Sequence, residues 1–192
     1  MRVYLGSRVL LSLAVVAGLA GAASAAPPPG STIGTVQLRA TVSESLTVTI
    51  SGGNSVNFVL APNTAANNGS NTSTVNTAWS LQRGRRQVSV WAYFSSAAAA
   101  LVPLTPANPA AIPSSAVKIQ VNGAGGFNAC TNATPFSAAA SGLRVGTTFI
   151  RRRNRNGRRT DVLAYQIDTT VVPALPADTY RGVLNLQAQA TP

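Results

Sequence analysis

Apolar and polar residues alternate with a period of two along much of the chain, which is typical of half-buried β-strands. The alternation is clearest at 75–82 and 87–94, where Trp79 and Val90 fall on the apolar side. We therefore expect both residues in the core. Residues 83–85 (Arg-Gly-Arg) contain a turn-forming glycine, so the pattern predicts that the two runs pair as a hairpin.

A second hairpin is predicted near residue 156. The runs 145–153 and 160–168 flank Asn156-Gly157, the residue pair most typical of a two-residue hairpin turn. Many arginines lie in and beside this turn. The sequence therefore predicts an Arg-rich hairpin whose tip spans residues 151–159.

Five further runs show the same alternation and are also predicted to be strands. In chain order they are 36–42, 46–50, 56–60, 117–121 and 180–188. Segments 97–116 and 123–142 are rich in small residues, proline or glycine, and are predicted as long loops. Glu44 would fall on the apolar side between two runs, so we expect a bulge or turn at 43–45. Eight or nine strands without an amphipathic helix predict an all-β, antiparallel β-sandwich.

The first residues have the order of a secretory signal peptide. Arg2 and Arg8 precede the short apolar run Val9–Ala20, and small residues follow at Ala23-Ser24-Ala25. The run is too short to span a membrane comfortably, and no second run of that kind follows. We expect cleavage after residue 25, a single β-sandwich domain at 26–192 with no membrane span, and a secreted, periplasmic or cell-surface location.

The composition limits the kinds of catalytic and metal-binding site that the protein can contain. The chain has 15 Lys+Arg, 4 Asp+Glu, no His and one Cys, which excludes His-dependent catalysis, His metal sites and an intramolecular disulfide. We expect the lone Cys130 to be buried and inert; the alternatives are a blocked thiol or a bridge to another chain. The carboxylates are scattered, and Asp161 is expected to pair with a neighbouring arginine. We therefore predict no catalytic, cofactor-binding or metal site, and a protein that is not an enzyme.

The cations form the first candidate site. Six of them lie in one short stretch: Arg151, Arg152, Arg153, Arg155, Arg158 and Arg159. Such a cluster favours contact with an anionic glycan or an envelope phosphate. The alternative is a solvated tip that keeps an edge strand from pairing. The pattern does not favour nucleic acid as a partner, because no stacking aromatics interleave with these arginines.

The second candidate is an aromatic pair. Trp91 and Tyr93 share one face of a predicted strand, opposite to the face that carries Val90. They could form a platform on which a glycan ring stacks. The alternative is that they cover the sheet or pack under a loop.

The run Leu175–Ala188 (LPADTYRGVLNLQA) resembles the last strand of secreted bacterial immunoglobulin-like domains, such as pilus subunits and spore coat protein U-like proteins. The resemblance implies an immunoglobulin-like sandwich. Many of those proteins have a disulfide near the start of the domain, which a single cysteine cannot form. Pilus subunits of this type exchange an N-terminal strand. The apolar residues Ile33, Val36, Leu38 and Ala40 could supply one, or could form the domain's own first strand.

These observations leave two expected functions. The first is a secreted, non-catalytic structural or cell-surface protein, such as a pilus-like assembling subunit, whose partners are other copies of itself or surface-assembly proteins. The alternative is a binding module for anionic polysaccharide or another polyanion, acting through the predicted hairpin at 151–159.

Overall fold

The computed structural model describes residues 43–192 together with Gln37 and Arg39. The predicted signal peptide at 1–25 lies outside the described residues. So does the predicted strand at 36–42, apart from the two positions named.

The described residues form β-strands and no α-helix, and every strand pairing is antiparallel, which confirms the predicted all-β class. The strands are β1 Ser45–Gly52, β2 Asn67–Asn68, β3 Ser73–Ser80, β4 Gln87–Phe94, β5 Val102–Pro103, β6 Val117–Val121, β7 Ala124–Ala129, β8 Asn132–Thr134, β9 Ser137–Phe149, β10 Asn156–Ile167, β11 Tyr180–Arg181 and β12 Asn185–Thr191. Short 3₁₀ turns lie at Ser114–Ala116 and Thr169–Val171. No helix in this part of the chain is long and apolar enough to cross a membrane.

Two sheets contain most of the strands. The larger sheet has the order β1-β3-β10-β6-β7, with β2 also paired to β10, and the smaller has the order β12-β4-β9-β8. Strands β5 and β11 pair separately. Val75 and Leu163 of the larger sheet and Val90 of the smaller belong to one buried cluster. This arrangement is compatible with an immunoglobulin-like sandwich.

Neither predicted hairpin forms, although all four of the predicted strands do. Strand β3 lies in the larger sheet and β4 in the smaller, and β9 and β10 are divided in the same way. The connections at 81–86 and 150–155 therefore cross from one sheet to the other. Alternation shows which side of a strand is buried, but a short connection can lead either to a paired neighbour or to the facing sheet.

Asn156-Gly157 is not a turn but the start of β10, where it pairs with Ser80 and Trp79. A Cβ atom at residue 157 would lie 2.7 Å from the Trp79 ring. Glycine is therefore required here for the close approach of the indole. The Asn156 Oδ1 accepts a hydrogen bond from the Ser80 Oγ at 2.9 Å.

The core prediction is confirmed, since Trp79 is 6% exposed and Val90 is 1% exposed. Val90 belongs to the main cluster between the sheets. Trp79 belongs to a smaller cluster with Leu81, Val88 and Ile150, packed beneath the two inter-sheet connections. This smaller cluster closes one end of the sandwich.

Three other predictions differ from the structure. The predicted strand 56–60 makes only the isolated bridge between Phe58 and Gly69. The predicted loop 123–142 instead contains β7, β8 and the start of β9, because its small residues pair through their backbones. The last predicted strand is interrupted after Arg181, where a Cβ atom on Gly182 would lie 2.1 Å from the Ala100 carbonyl oxygen.

Candidate functional site

The two inter-sheet connections lie side by side. The Leu81 amide donates to the Arg155 carbonyl at 2.9 Å, and the Ile150 amide donates to the Arg86 carbonyl at 2.7 Å. These bonds bring two sequence-distant groups of arginines together. We call the resulting surface the basic end; its arginines are Arg83, Arg85, Arg86, Arg151, Arg152, Arg153, Arg155 and Arg158.

Local contacts fix the backbone that carries these arginines. The Asn154 side chain donates to the Phe149 carbonyl at 2.8 Å and accepts from the Arg151 amide at 2.5 Å. The Trp79 indole N–H donates to the Asn154 carbonyl at 2.9 Å. In the neighbouring connection, Gly84 takes a φ of 104°, which favours glycine. The arginines therefore project from an ordered support.

Among the described residues, one acidic side chain, Glu44, lies at the basic end. Glu44 forms a salt bridge with Arg85 at 3.0 Å. The hydrogen bond from Arg85, followed by the one from the Gln82 backbone, lowers the pKa of Glu44. This pairing accommodates the charge for which the sequence predicted a bulge or turn. Within the described part of the chain, the other seven arginines of the basic end form no salt bridge.

Arg159 differs from its neighbours because it points between the sheets. Its guanidinium forms a salt bridge with Asp161 at 2.7 Å, donates to the Thr147 carbonyl at 3.2 Å and covers Gly146. Asp161 is 0% exposed and also accepts from the Asn122 side chain at 2.9 Å. The expected pairing of Asp161 with an arginine is confirmed, and Arg159 does not belong to the basic end.

Trp91 and Tyr93 lie on the outer face of the smaller sheet. The Tyr93 ring stacks on Phe136 with centroids 5.3 Å apart, and its hydroxyl donates to Gln187 at 2.8 Å. The Arg144 guanidinium lies 5.9 Å from the centroid of the Trp91 ring. Each ring therefore has a neighbour over part of its surface, and Arg144 adds a cation to this outer face.

A large cleft opens at the other end of the sandwich, where β3 begins and β4 ends. We call it the apolar cleft; its volume is about 1310 Å³. Its main apolar lining residues are Ile50, Phe58, Phe94, Tyr165, Leu184 and Leu186. Val183, at its border, is 73% exposed. Sequence reasoning missed this cleft because its lining comes from separate strands and loops.

Cys130 is buried as expected, with 0% of its surface exposed. Burial raises the pKa of its thiol to about 12. Since the thiolate is the reactive form, the native thiol should be unreactive near neutral pH.

We expect iodoacetamide to leave Cys130 unmodified in the native protein at pH 8 and to modify it fully in guanidinium chloride. Mass spectrometry of the two samples measures the difference. Rapid, complete labelling of the native protein would contradict the described burial.

The other carboxylates serve local contacts. Asp168 lies 2.7 Å from Lys118, and Asp178 accepts hydrogen bonds from Asn108 and Thr105. Within the described residues, no group of three or more His, Cys, Asp or Glu side chains could hold a metal ion.

The Lys118–Asp168 pair predicts a loss of stability in acid. The hydrogen bond from Lys118, and then the one from Thr170, lowers the pKa of Asp168 from its ordinary value of 3.8. A depressed folded-state pKa stabilises the protein above about pH 4, and this stabilisation is lost as the pH falls through the folded-state value. We expect Lys118→Met to flatten the fall in Tm between pH 5 and pH 2. An unchanged slope would contradict this contribution.

Comparison of the chain with protein-family models, curated protein sequences and solved structures found no match.

Proposed function

We propose that this protein is a non-catalytic structural subunit exported to the cell surface, where its copies associate through the apolar cleft. The observation that supports this most directly is the open apolar space between the two sheets. In the proposed contact, the cleft of one copy binds an extended segment of another copy.

The chemistry of the cleft suits a peptide segment. Its volume of about 1310 Å³ is larger than the ~300–1,000 Å³ typical of small-molecule sites. Val183 and Ile50 expose apolar surface at its border. An extended peptide directs every second side chain to the same side, so alternating apolar residues could fill such a space.

The strand edges beside the cleft suit the same partner. Within the described residues, β1 pairs with β3 alone and β12 pairs with β4 alone. An edge strand has a row of backbone donors and acceptors with which an added strand can pair. An incoming segment could gain main-chain hydrogen bonds in addition to apolar contacts.

The proposed occupant is the alternating segment 33–40 of a second copy. The described chain enters β1 at the basic end, where Glu44 contacts Gln82 and Arg85. The cleft lies beyond the other end of β1, about 25 Å away for an eight-residue strand. We propose that the segment docks in a neighbouring copy; a segment held within its own domain is the alternative outcome of the test.

We expect Val183→Asp to prevent association without unfolding the protein, because the residue is 73% exposed and a charge at the cleft opposes apolar docking. Val162→Asp is the matched control, since Val162 is also exposed and lies outside the cleft lining. Sedimentation velocity over a range of concentrations measures association, and thermal melts check folding.

The parent and Val162→Asp should form oligomers as concentration rises, while Val183→Asp remains monomeric with a similar Tm. A parent that is monomeric at all concentrations would contradict the proposal. Equal association of the two variants would also contradict it.

A further inference from the structure

We propose that the basic end, together with the adjoining outer face of the smaller sheet, binds an anionic polysaccharide. This site lies at the opposite end from the apolar cleft, so it is independent of the proposed association. The sequence pointed to one arginine-rich segment, whereas the structure forms a broader surface from both inter-sheet connections.

The charge of this surface is nearly uncompensated. Its eight arginines are accompanied by one acidic side chain, Glu44, which pairs with Arg85, and Pro192 lies beside Arg83 and Arg85. Guanidinium groups can form two parallel hydrogen bonds with a carboxylate or sulfate group. A polymer with regularly spaced anions could therefore contact several arginines at once.

The ordered backbone that carries these arginines favours a binding surface over a flexible tip. The backbone bonds from Leu81 to Arg155 and from Ile150 to Arg86 join the two connections. Trp79 anchors one of them through the Asn154 carbonyl. Because the backbone is already ordered, binding a polymer costs less conformational entropy.

The outer face of the smaller sheet continues from the basic end. Strand register places Gln87 opposite Phe149, Ser89 opposite Thr147 and Trp91 opposite Arg144 on this face. Ser89 is buried and hydrogen-bonded to Gln87 and Thr147, so the accessible groups of this face come from the Phe149, Trp91 and Arg144 side chains. These groups suit the hydroxyls and anions of a sugar polymer.

Phe149 gives this surface its exposed aromatic ring. The residue is 69% exposed and immediately precedes the connection at 150–155. A sugar ring could pack on its face while neighbouring arginines bind the sugar's acidic group. Sequence-tolerant binding of single-stranded nucleic acid uses several stacking aromatics. Trp91 and Tyr93 are half-buried beside Arg144 and Phe136, which leaves Phe149 as the exposed ring of this face and favours a glycan.

The first experiment compares two charge-matched variants, Arg86→Gln at the basic end and Arg181→Gln in β11, using calorimetry with polygalacturonate at two salt concentrations. We expect Arg86→Gln to weaken binding about threefold to fivefold at low salt, and Arg181→Gln to leave it within about twofold. Combined replacement of Arg83, Arg86, Arg152 and Arg153 with Gln should abolish binding at the same Tm. Equal effects of the two single variants, or no binding by the parent, would overturn the proposed site.

The second experiment tests the sugar component. Phe149→Ala should weaken polygalacturonate binding about threefold and leave polyphosphate binding unchanged. An equal effect on both polymers, no effect on either, or tighter binding of single-stranded DNA than of polygalacturonate would overturn the polysaccharide assignment. Val183→Asp should bind polygalacturonate like the parent, which separates this test from that of the cleft.

Discussion

Replacing Asp161 with Ala is expected to lower the free energy of unfolding by about 3 kcal/mol. Asp161 is 0% exposed and forms a salt bridge with Arg159 between the sheets. Its loss leaves the guanidinium without its partner and removes an acceptor from Asn122. The Arg159 side chain is 25% exposed, so water can solvate part of the freed charge. Urea denaturation of parent and variant measures the difference.

A double variant distinguishes the energetic cost of the unpaired charge from the cost of lost packing. Arg159→Met with Asp161→Leu removes both charges and keeps apolar volume between the sheets. We expect this variant to lie within about 1 kcal/mol of the parent, because a buried ion pair often contributes little beyond an apolar pair. A loss for Asp161→Ala below about 1 kcal/mol would contradict the account of this pair.

Replacing Trp79 with Ala is expected to cost about 3–5 kcal/mol. The indole fills the smaller core cluster, and its N–H donates to the Asn154 carbonyl. Trp79→Phe should cost less, because it keeps an aromatic ring while losing that hydrogen bond. Denaturant unfolding provides both values, and a Trp79→Ala variant as stable as the parent would contradict the described packing.

Gly157 provides a second test of the same contact. A Cβ atom there would lie 2.7 Å from the Trp79 ring, so Gly157→Ala should cost about 1–3 kcal/mol in the parent. In a Trp79→Ala background the added methyl group meets no ring, so its cost should largely disappear. Additive costs would show that the two residues do not contact each other.

The sequence predicted burial well because burial depends on alternation within a strand. Trp79 and Val90 lie in the core as expected. Strand pairing depends on the whole fold, and the pattern around Asn156-Gly157 could not show that the glycine faces an indole rather than forming a turn. The segments predicted as hairpin turns therefore connect one sheet to the other.

The candidate sites, like the strand pairing, were only partly predictable from the sequence. The sequence identified the arginines at 151–158, but Arg83 and Arg86 join them only because the two connections are hydrogen-bonded to each other. Arg159 lies on the side of β10 that faces the interior, and it pairs there with Asp161. The apolar cleft was not predictable from any single segment, because residues from separate strands and loops line it.

The most direct test of the proposed association mixes two complementary variants of the protein. Leu38→Asp impairs the proposed inserting segment and leaves the cleft intact, whereas Val183→Asp impairs the cleft and leaves the segment intact. Neither variant alone should self-associate.

Sedimentation velocity of a one-to-one mixture then gives a clear outcome. Association between copies predicts a heterodimer in the mixture, formed by the intact segment of one variant and the intact cleft of the other. If segment 33–40 instead belongs to its own domain, Leu38→Asp will have a lowered Tm and the mixture will contain only monomers. That result would contradict the proposed assembly.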